Sequence, residues 1–151
     1  MSKIIESIDY FPAGYCTSYT GLLFKGVKNQ KMTFPAGVFL IKHRDKGYLL
    51  YDTGYHYDIK TRLRYGFYRL GTPVQMTEKD QISRLLEAKG IKPEEINYVL
   101  LSHLHPDHLG GASFFPLLHV SPSLPGSLSL CLSTPPPASA LKCMVFSSPA
   151  T

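Results

Sequence analysis

The stretch Ser102-His103-Leu104-His105-Pro106-Asp107-His108-Leu109-Gly110-Gly111 decides how this chain is read. Three imidazoles and a carboxylate fall within six consecutive residues, directly after the apolar run Ile96-Asn97-Tyr98-Val99-Leu100-Leu101. Imidazole nitrogen and carboxylate oxygen are the donors that zinc, manganese, cobalt and ferrous iron accept in open, reactive sites. His103 and His105 are two apart, so in an extended segment they project to the same side and can share one ion. Pro106 bends the backbone, because proline fixes its own φ and restricts its predecessor. Asp107 and His108 are therefore better placed to hold a second ion close by. Burying so many polar groups unpaired would be costly, which points to metal binding. Gly110-Gly111 is expected to turn the chain tightly and keep bulk away from the site.

Two ions about 3.5–4 Å apart can bridge and deprotonate a water while polarising the bond under attack. No Ser or Cys nucleophile is then required, and a metal-dependent hydrolase is the leading function class.

The flanking sequence places the cluster on a mixed scaffold. Lys3–Tyr10 reads as an opening strand. Gly37–His43 and Tyr48–Asp52 are apolar, β-branched or aromatic runs separated by Arg44-Asp45-Lys46-Gly47, a hairpin signal. Thr77 is a helix N-cap candidate with Asp80 as its capping-box partner. Ile82, Leu85, Leu86 and Lys89 follow at helical spacing, and Gly90 supplies the stop. Pro93-Glu94-Glu95 opens a short turn before the buried strand Ile96–Leu101, which delivers the cluster to a sheet edge.

The pattern H-x-H-x-D-H after a strand resembles the metallo-β-lactamase fold superfamily. Tyr51-Asp52-Thr53-Gly54 looks like that family's D-T-G turn, which implies that Asp52 supports the metal site. Tyr10-Phe11-Pro12-Ala13-Gly14-Tyr15-Cys16, Lys31-Met32-Thr33-Phe34-Pro35 and Met76-Thr77-Glu78-Lys79-Asp80 look like the N-acyl homoserine lactonase branch. The likeness runs from about Ile4 to Phe115. It implies an α/β fold, the αββα metallo-β-lactamase-like sandwich, of which this chain holds the first half. It implies His103 and His105 on one ion and Asp107 and His108 on a second, with Asp107 also catalytic in holding the bridging water. The implied cofactor is two divalent metal ions, zinc being the expected species. The implied partner is a small-molecule ester or lactone, N-acyl homoserine lactone above all, whose ring a metal-bound hydroxide would open. Thioesters, β-lactams and phosphodiesters are alternatives, since the cluster does not choose a substrate.

The family's later ligands, a histidine, a bridging aspartate and a last histidine, and the lactonases' later tyrosine, have no counterparts here. A catalytically inactive truncated fragment with a half metal site is therefore the competing expectation. Such a half-sandwich exposes sheet surface that the missing half would cover.

Composition changes after Phe115. All ten tyrosines and all eleven acidic residues precede Phe114, and beyond Phe115 the only formal charge is Lys142. Residues 116–151 number 36, of which 22 are Ser, Pro or Leu, so neither helical nor strand periodicity is expected there. The expected organisation is 1–115 as the N-terminal part of a metallo-β-lactamase-like domain. Residues 116–151 then form a low-complexity tail, disordered or arising from a shifted reading frame. His119, inside that tail, is expected to be a satisfied or exposed histidine rather than a ligand. Repeated Pro and Ser argue against a membrane span.

The net charge of +5 is modest. Arg62, Arg64 and Arg69 interleaved with Tyr65, Phe67 and Tyr68 invite a nucleic-acid reading, yet a surface loop or helix near the pocket mouth suits them better, and no nucleic-acid partner is expected. Three widely spaced cysteines, Cys16, Cys131 and Cys143, give no disulfide framework. The opening Met1-Ser2-Lys3-Ile4-Ile5-Glu6 lacks a secretory h-region, so a reducing, cytoplasmic setting is the expectation.

Overall fold

The computed structural model of the protein describes residues 3–61, 66–115, 119–121 and 130–133, with the side chains of residue 67 and of the last two segments outside the description. Strands β1 (Ile5–Tyr19), β2 (Lys31–His43) and β3 (Gly47–Tyr51) form an antiparallel meander. Strand β4 (Val74–Gln75) joins the free side of β1, and β5 (Ile96–Leu101) lies parallel to β3. Strands β6 (His119–Ser121) and β7 (Leu130–Ser133) complete one seven-stranded sheet in the order β4-β1-β2-β3-β5-β7-β6. Four short helices accompany it: α1 (Thr20–Leu23), α2 (Gly66–Gly71), α3 (Ile82–Ala88) and α4 (Pro106–Leu109). The mixed α/β class is as expected, and the described residues form one sheet layer.

The opening strand runs nine residues beyond the expected Tyr10, and a bulge explains why. Phe11 and Ala13 are buried on one parity, then Cys16 and Ser18 on the other, with a register shift between Pro12 and Tyr15. The extra residue shifts the parity of every later inward side chain of β1, while Ala36 and Val38 on β2 keep the same face buried across the shift. The alternation that would reveal a long strand is thus broken where Pro12 and Gly14 also look like stop signals.

Two clusters pack along that face. Phe11, Val38, Leu40, Leu50, Val99 and Leu101 line the sheet face that Ile82 and Leu86 of α3 cover. Cys16, Ala36, Tyr55, Ile59 and Met76 form a second core beside α2.

The capping box at Thr77 and Asp80 is real but serves a single 3-10 turn, Glu78–Asp80. The Thr77 amide donates to Asp80 Oδ2 at 2.6 Å. Gln81 then leaves helical geometry (ψ 138), so α3 begins at Ile82 rather than at the cap.

The tail reading meets two short segments with strand geometry. Residues 130–133 pair with β5 (Val99 opposite Leu132), and 119–121 pair with 130–133. Backbone pairing to an open edge needs no side-chain alternation, so composition carries no signal for it. The rest of 116–151 lies outside the described residues, as do Arg62, Arg64 and Tyr65, and His119 is placed by its backbone alone.

Tyr55 is fully buried, and its hydroxyl lies 2.9 Å from that of Tyr68 on α2. Burial first, and then the neighbouring hydroxyl, raises the Tyr55 pKa far above a phenol's ordinary value; burial also raises that of Tyr68, with the nearby Asp107 charge adding to it. Both phenols are therefore held neutral in the fold, whereas unfolded tyrosine ionises near 10. Their stabilising contribution is intact below that pH and is lost as pH rises toward the folded-state values. Urea midpoints measured from about pH 9 to about pH 11 should fall more steeply for this chain than for a Tyr55→Phe/Tyr68→Phe double variant. Parallel curves would refute the linkage.

The pair Gly110-Gly111 turns the chain as expected, without entering a glycine-only conformation. Both sit in the 3-10 segment Gly110–Phe114, and neither is among the glycines with positive φ. What they provide is proximity. A Cβ on Gly110 would lie 2.4 Å from the His56 amide nitrogen, and one on Gly111 would lie 2.4 Å from the Thr53 carbonyl oxygen. Gly111→Ala should therefore cost on the order of 1–3 kcal/mol by overpacking against backbone. A chemical-denaturation difference below about 0.5 kcal/mol would show that the loop yields freely.

Candidate functional site

Parallel pairing brings the C-terminal ends of β3 and β5 side by side, so the residues that follow them, Asp52 and Ser102, meet although they are 50 apart in sequence. Asp52 has a left-handed backbone (φ 65), which acidic and amide residues tolerate better than most. Its amide donates to the Leu100 carbonyl at 2.8 Å, which turns the carboxylate back toward the end of β5.

That carboxylate is buried and fully engaged. Oδ1 accepts from the Ser102 amide at 2.8 Å, and Ser102 Oγ lies 3.0 Å from Oδ1 and 2.9 Å from Oδ2. His108 Nδ1 lies 2.7 Å from Oδ2. Ser102 Oγ is also 3.0 Å from His103 Nδ1 and 3.1 Å from His108 Nδ1. A self-consistent proton arrangement follows: Ser102 donates to Asp52, and both Nδ1–H groups donate to oxygen acceptors. Each of these histidines then keeps its Nε2 lone pair for whatever lies on the far side.

On that far side the donors converge in pairs. His103 Nε2 is 3.1 Å from His105 Nδ1, and His108 Nε2 is 3.1 Å from Asp107 Oδ2. The rings of His103 and His108 lie 3.9 Å apart, so the two pairs adjoin. Burial first, then the proximity of His108 and His105, lowers the His103 pKa and favours the neutral imidazole, against an opposing pull from Asp107 and Asp52. Two nitrogens bonded at about 2.0–2.1 Å to one tetrahedral ion sit roughly 3.3 Å apart, so the spacing of each pair suits two ligands of a shared ion. No group of three or more His, Cys, Asp or Glu side chains suited to one ion occurs among the described residues. The donor chemistry fits divalent metal, two ligands at a time.

The turn after β3 is stitched to the histidine loop residue by residue. Thr53 donates to the His108 carbonyl from its amide (2.8 Å) and its hydroxyl (2.7 Å), and the Gly111 amide donates to the Gly54 carbonyl at 3.2 Å. Gly54 needs its positive φ of 67 here, and a Cβ would strike Ala13 at 2.3 Å. His56 stacks on Phe114, ring centroids 5.2 Å apart, and closes the flank.

The structure thus brings together all four sequence-predicted ligands and Asp52. Ser102 as the hub of this network went unrecognised in the sequence, and so did Thr53 and the Tyr55–Tyr68 pair. A hydroxyl residue directly before the first histidine was the one available signal. None of the described helices is long and apolar enough to cross a membrane.

The family model of the metallo-beta-lactamase superfamily matches residues 34–137. An N-acyl homoserine lactonase of Bacillus cereus is 31% identical over 118 residues, covering 74% of this chain and 46% of that protein. The N-acyl homoserine lactonase AiiB of Agrobacterium fabrum is 32% identical over 91 residues, 59% of this chain and 33% of that protein. A solved N-acyl homoserine lactone hydrolase, with the product N-hexanoyl-L-homoserine bound at its catalytic metal center, superposes with a TM-score of 0.62 at 25% identity over 75% of this chain and 46% of that one. The chain spans about half the length of the relatives it matches. From the loop architecture at the ends of β3 and β5 and the match over two thirds of its residues, this chain belongs to the metallo-β-lactamase superfamily.

Proposed function

We propose that this chain carries the anchoring half of a metal-dependent hydrolase site whose substrate is an ester ring of the N-acyl homoserine lactone kind. The observation that carries the reading is the double convergence of donors, with one histidine of each pair, His103 or His108, oriented by the Asp52–Ser102 network. The lactonase relatives and the product-bound neighbour support the substrate class. His103 and His105 would hold one divalent ion, zinc by its taste for imidazole, and Asp107 and His108 a second. A bound ion of this type supplies Lewis-acid polarisation of an ester carbonyl and a water acidic enough to lose its proton near neutral pH.

The protein's own contribution is orientation. Asp52 fixes the His108 ring through Nδ1 and so aims Nε2 beside Asp107. Ser102 does the same for His103 through its hydroxyl. Carboxylate and hydroxyl partners of this kind set the tautomer and ring direction of ligating histidines.

A second reading has its own support. Catalytic zinc generally has three protein ligands plus water, and the described residues offer two per ion. On that reading the chain binds metal in a half-site and catalyses nothing.

Two measurements separate the possibilities. Elemental analysis after equilibration with zinc and extensive dialysis should find at least one ion per chain, and none in a His103→Ala/His105→Ala/Asp107→Ala/His108→Ala variant. Ring opening of an N-acyl homoserine lactone, followed by chromatography, should be abolished by EDTA and restored by zinc. Metal without turnover would leave the inactive half-site, and metal-free protein would sink both readings. Ser102→Ala should weaken zinc affinity by about 10–100-fold in a chelator competition with far-UV circular dichroism unchanged, and Ser102→Thr should restore it. An affinity within twofold of the parent would remove Ser102 from the network's function.

A further inference from the structure

The hairpin of β1 and β2 does not stop where the sheet stops. Strand β3 ends at Tyr51, opposite Phe39, whereas β2 begins at Lys31, paired with Tyr19. A two-stranded ribbon therefore overhangs the sheet by roughly 25 Å, at the end that carries Asp52 and Ser102. Its tip is tied shut. Thr20 is buried at the base, where its hydroxyl donates to the Lys28 carbonyl at 2.6 Å and accepts from the Gln30 amide at 3.0 Å. The Gly21 amide donates to Asn29 Oδ1 at 3.0 Å, and the Phe24 amide to the Thr20 carbonyl at 2.8 Å. From this base stand Leu22, 74% exposed, Phe24, 51%, Val27, 49%, and Leu23, 48%. Lys25, Lys28 and Lys31 are exposed beside them and make no ion pair among the described residues. No acidic residue lies between Asp9 and Asp45. The ribbon is open on both faces: Met32, paired with Ser18, and Tyr19, paired with Lys31, point opposite ways and both are exposed. A second layer over one face of the sheet leaves the other side of the tip in water, and β3 and β5 separate the tip from the edge that 130–133 join.

We propose that this tip docks the chain on an anionic lipid surface. Attachment to a membrane surface rests on two signals, apolar groups that enter the acyl boundary and basic charge that meets the headgroups. Leu22, Leu23, Phe24 and Val27 supply the first, and Lys25, Lys28 and Lys31 the second. Each lysine near an anionic surface strengthens attachment roughly fivefold. Nucleic acid would reward the lysines and give little for the aliphatic Leu22, Leu23 and Val27. Closure of the base by Thr20 and Asn29 orders the loop before it docks, so little further ordering opposes the contact. The contact is peripheral: a loop of this size lies in the headgroup region and does not cross. The docking does not depend on the hydrolase reading. It would turn the Asp52–Ser102 end of the sheet toward the lipid.

Flotation of the 151-residue chain with lipid vesicles tests it. Binding to phosphatidylcholine and phosphatidylglycerol at about 3:1 should exceed binding to phosphatidylcholine alone at least about tenfold, and should fall as salt rises. Lys25→Glu/Lys28→Glu/Lys31→Glu and, separately, Leu22→Ser/Phe24→Ser should each lower it about tenfold or more with unchanged circular dichroism. Lys3→Glu/Lys46→Glu/Lys79→Glu makes the same change of net charge at exposed positions elsewhere and should stay within about threefold of the parent. The chain has no tryptophan, so Phe24→Trp gives it a single reporter. Its fluorescence should shift to the blue on the anionic vesicles and be quenched by lipids brominated in the acyl chain. A Phe39→Trp reporter, on the exposed sheet face, should do neither. Equal binding to the two vesicle types, equal losses in the two lysine triples, or quenching at position 39 rather than 24 would each overturn the proposal. So would tighter binding to a single-stranded oligonucleotide that Leu22→Ser/Phe24→Ser leaves intact, which would assign the lysines to nucleic acid.

Discussion

Everything at the mouth of this sheet depends on one buried carboxylate. Asp52 has almost no contact with water, and an ionised group in that position is tolerable only when its lone pairs are filled. Ser102 and His108 fill them, and in doing so become fixed themselves. The same bonds that make the charge tolerable give the histidine loop its shape. Stability and site geometry are therefore one problem here, solved by one network.

That coupling also explains the glycines. Thr53 and Gly54 meet the loop at its backbone, so the two segments must approach at backbone distance, and any side chain on Gly111 would hold them apart. The loop needs no unusual torsion to do this. It needs empty space on one side, which is a different demand on the sequence from the one a turn makes.

What the sequence disclosed and what it hid divide along that line. The histidine-rich run, β5 and the hairpin between β2 and β3 were legible because each is written in contiguous residues: His103 to His108, Ile96 to Leu101, Arg44 to Gly47. Asp52 was legible through family likeness, since nothing local in Tyr51-Asp52-Thr53-Gly54 says that its partner stands 50 positions later. The second half of β1 was hidden by a bulge that inverts its pattern, and the pairing of 130–133 was hidden because edge backbone accepts almost any sequence. Ser102 was in plain view and carried no role, because a single hydroxyl acquires one only when three acceptors and donors surround it.

The parallel alignment of β3 and β5 has a kinetic side. Asp52 and Ser102 can meet only after the chain between them, with α2, β4 and α3, has closed on itself, and loop closure of that length costs entropy before any contact repays it. The histidines of the loop are present in the unfolded chain from the start, but their ring directions are not. Until the sheet has formed, the imidazoles of the loop lack the partners that orient them. Correct ring orientation is in this sense a record that the sheet has already formed, so the site serves as its own proofreading of the fold.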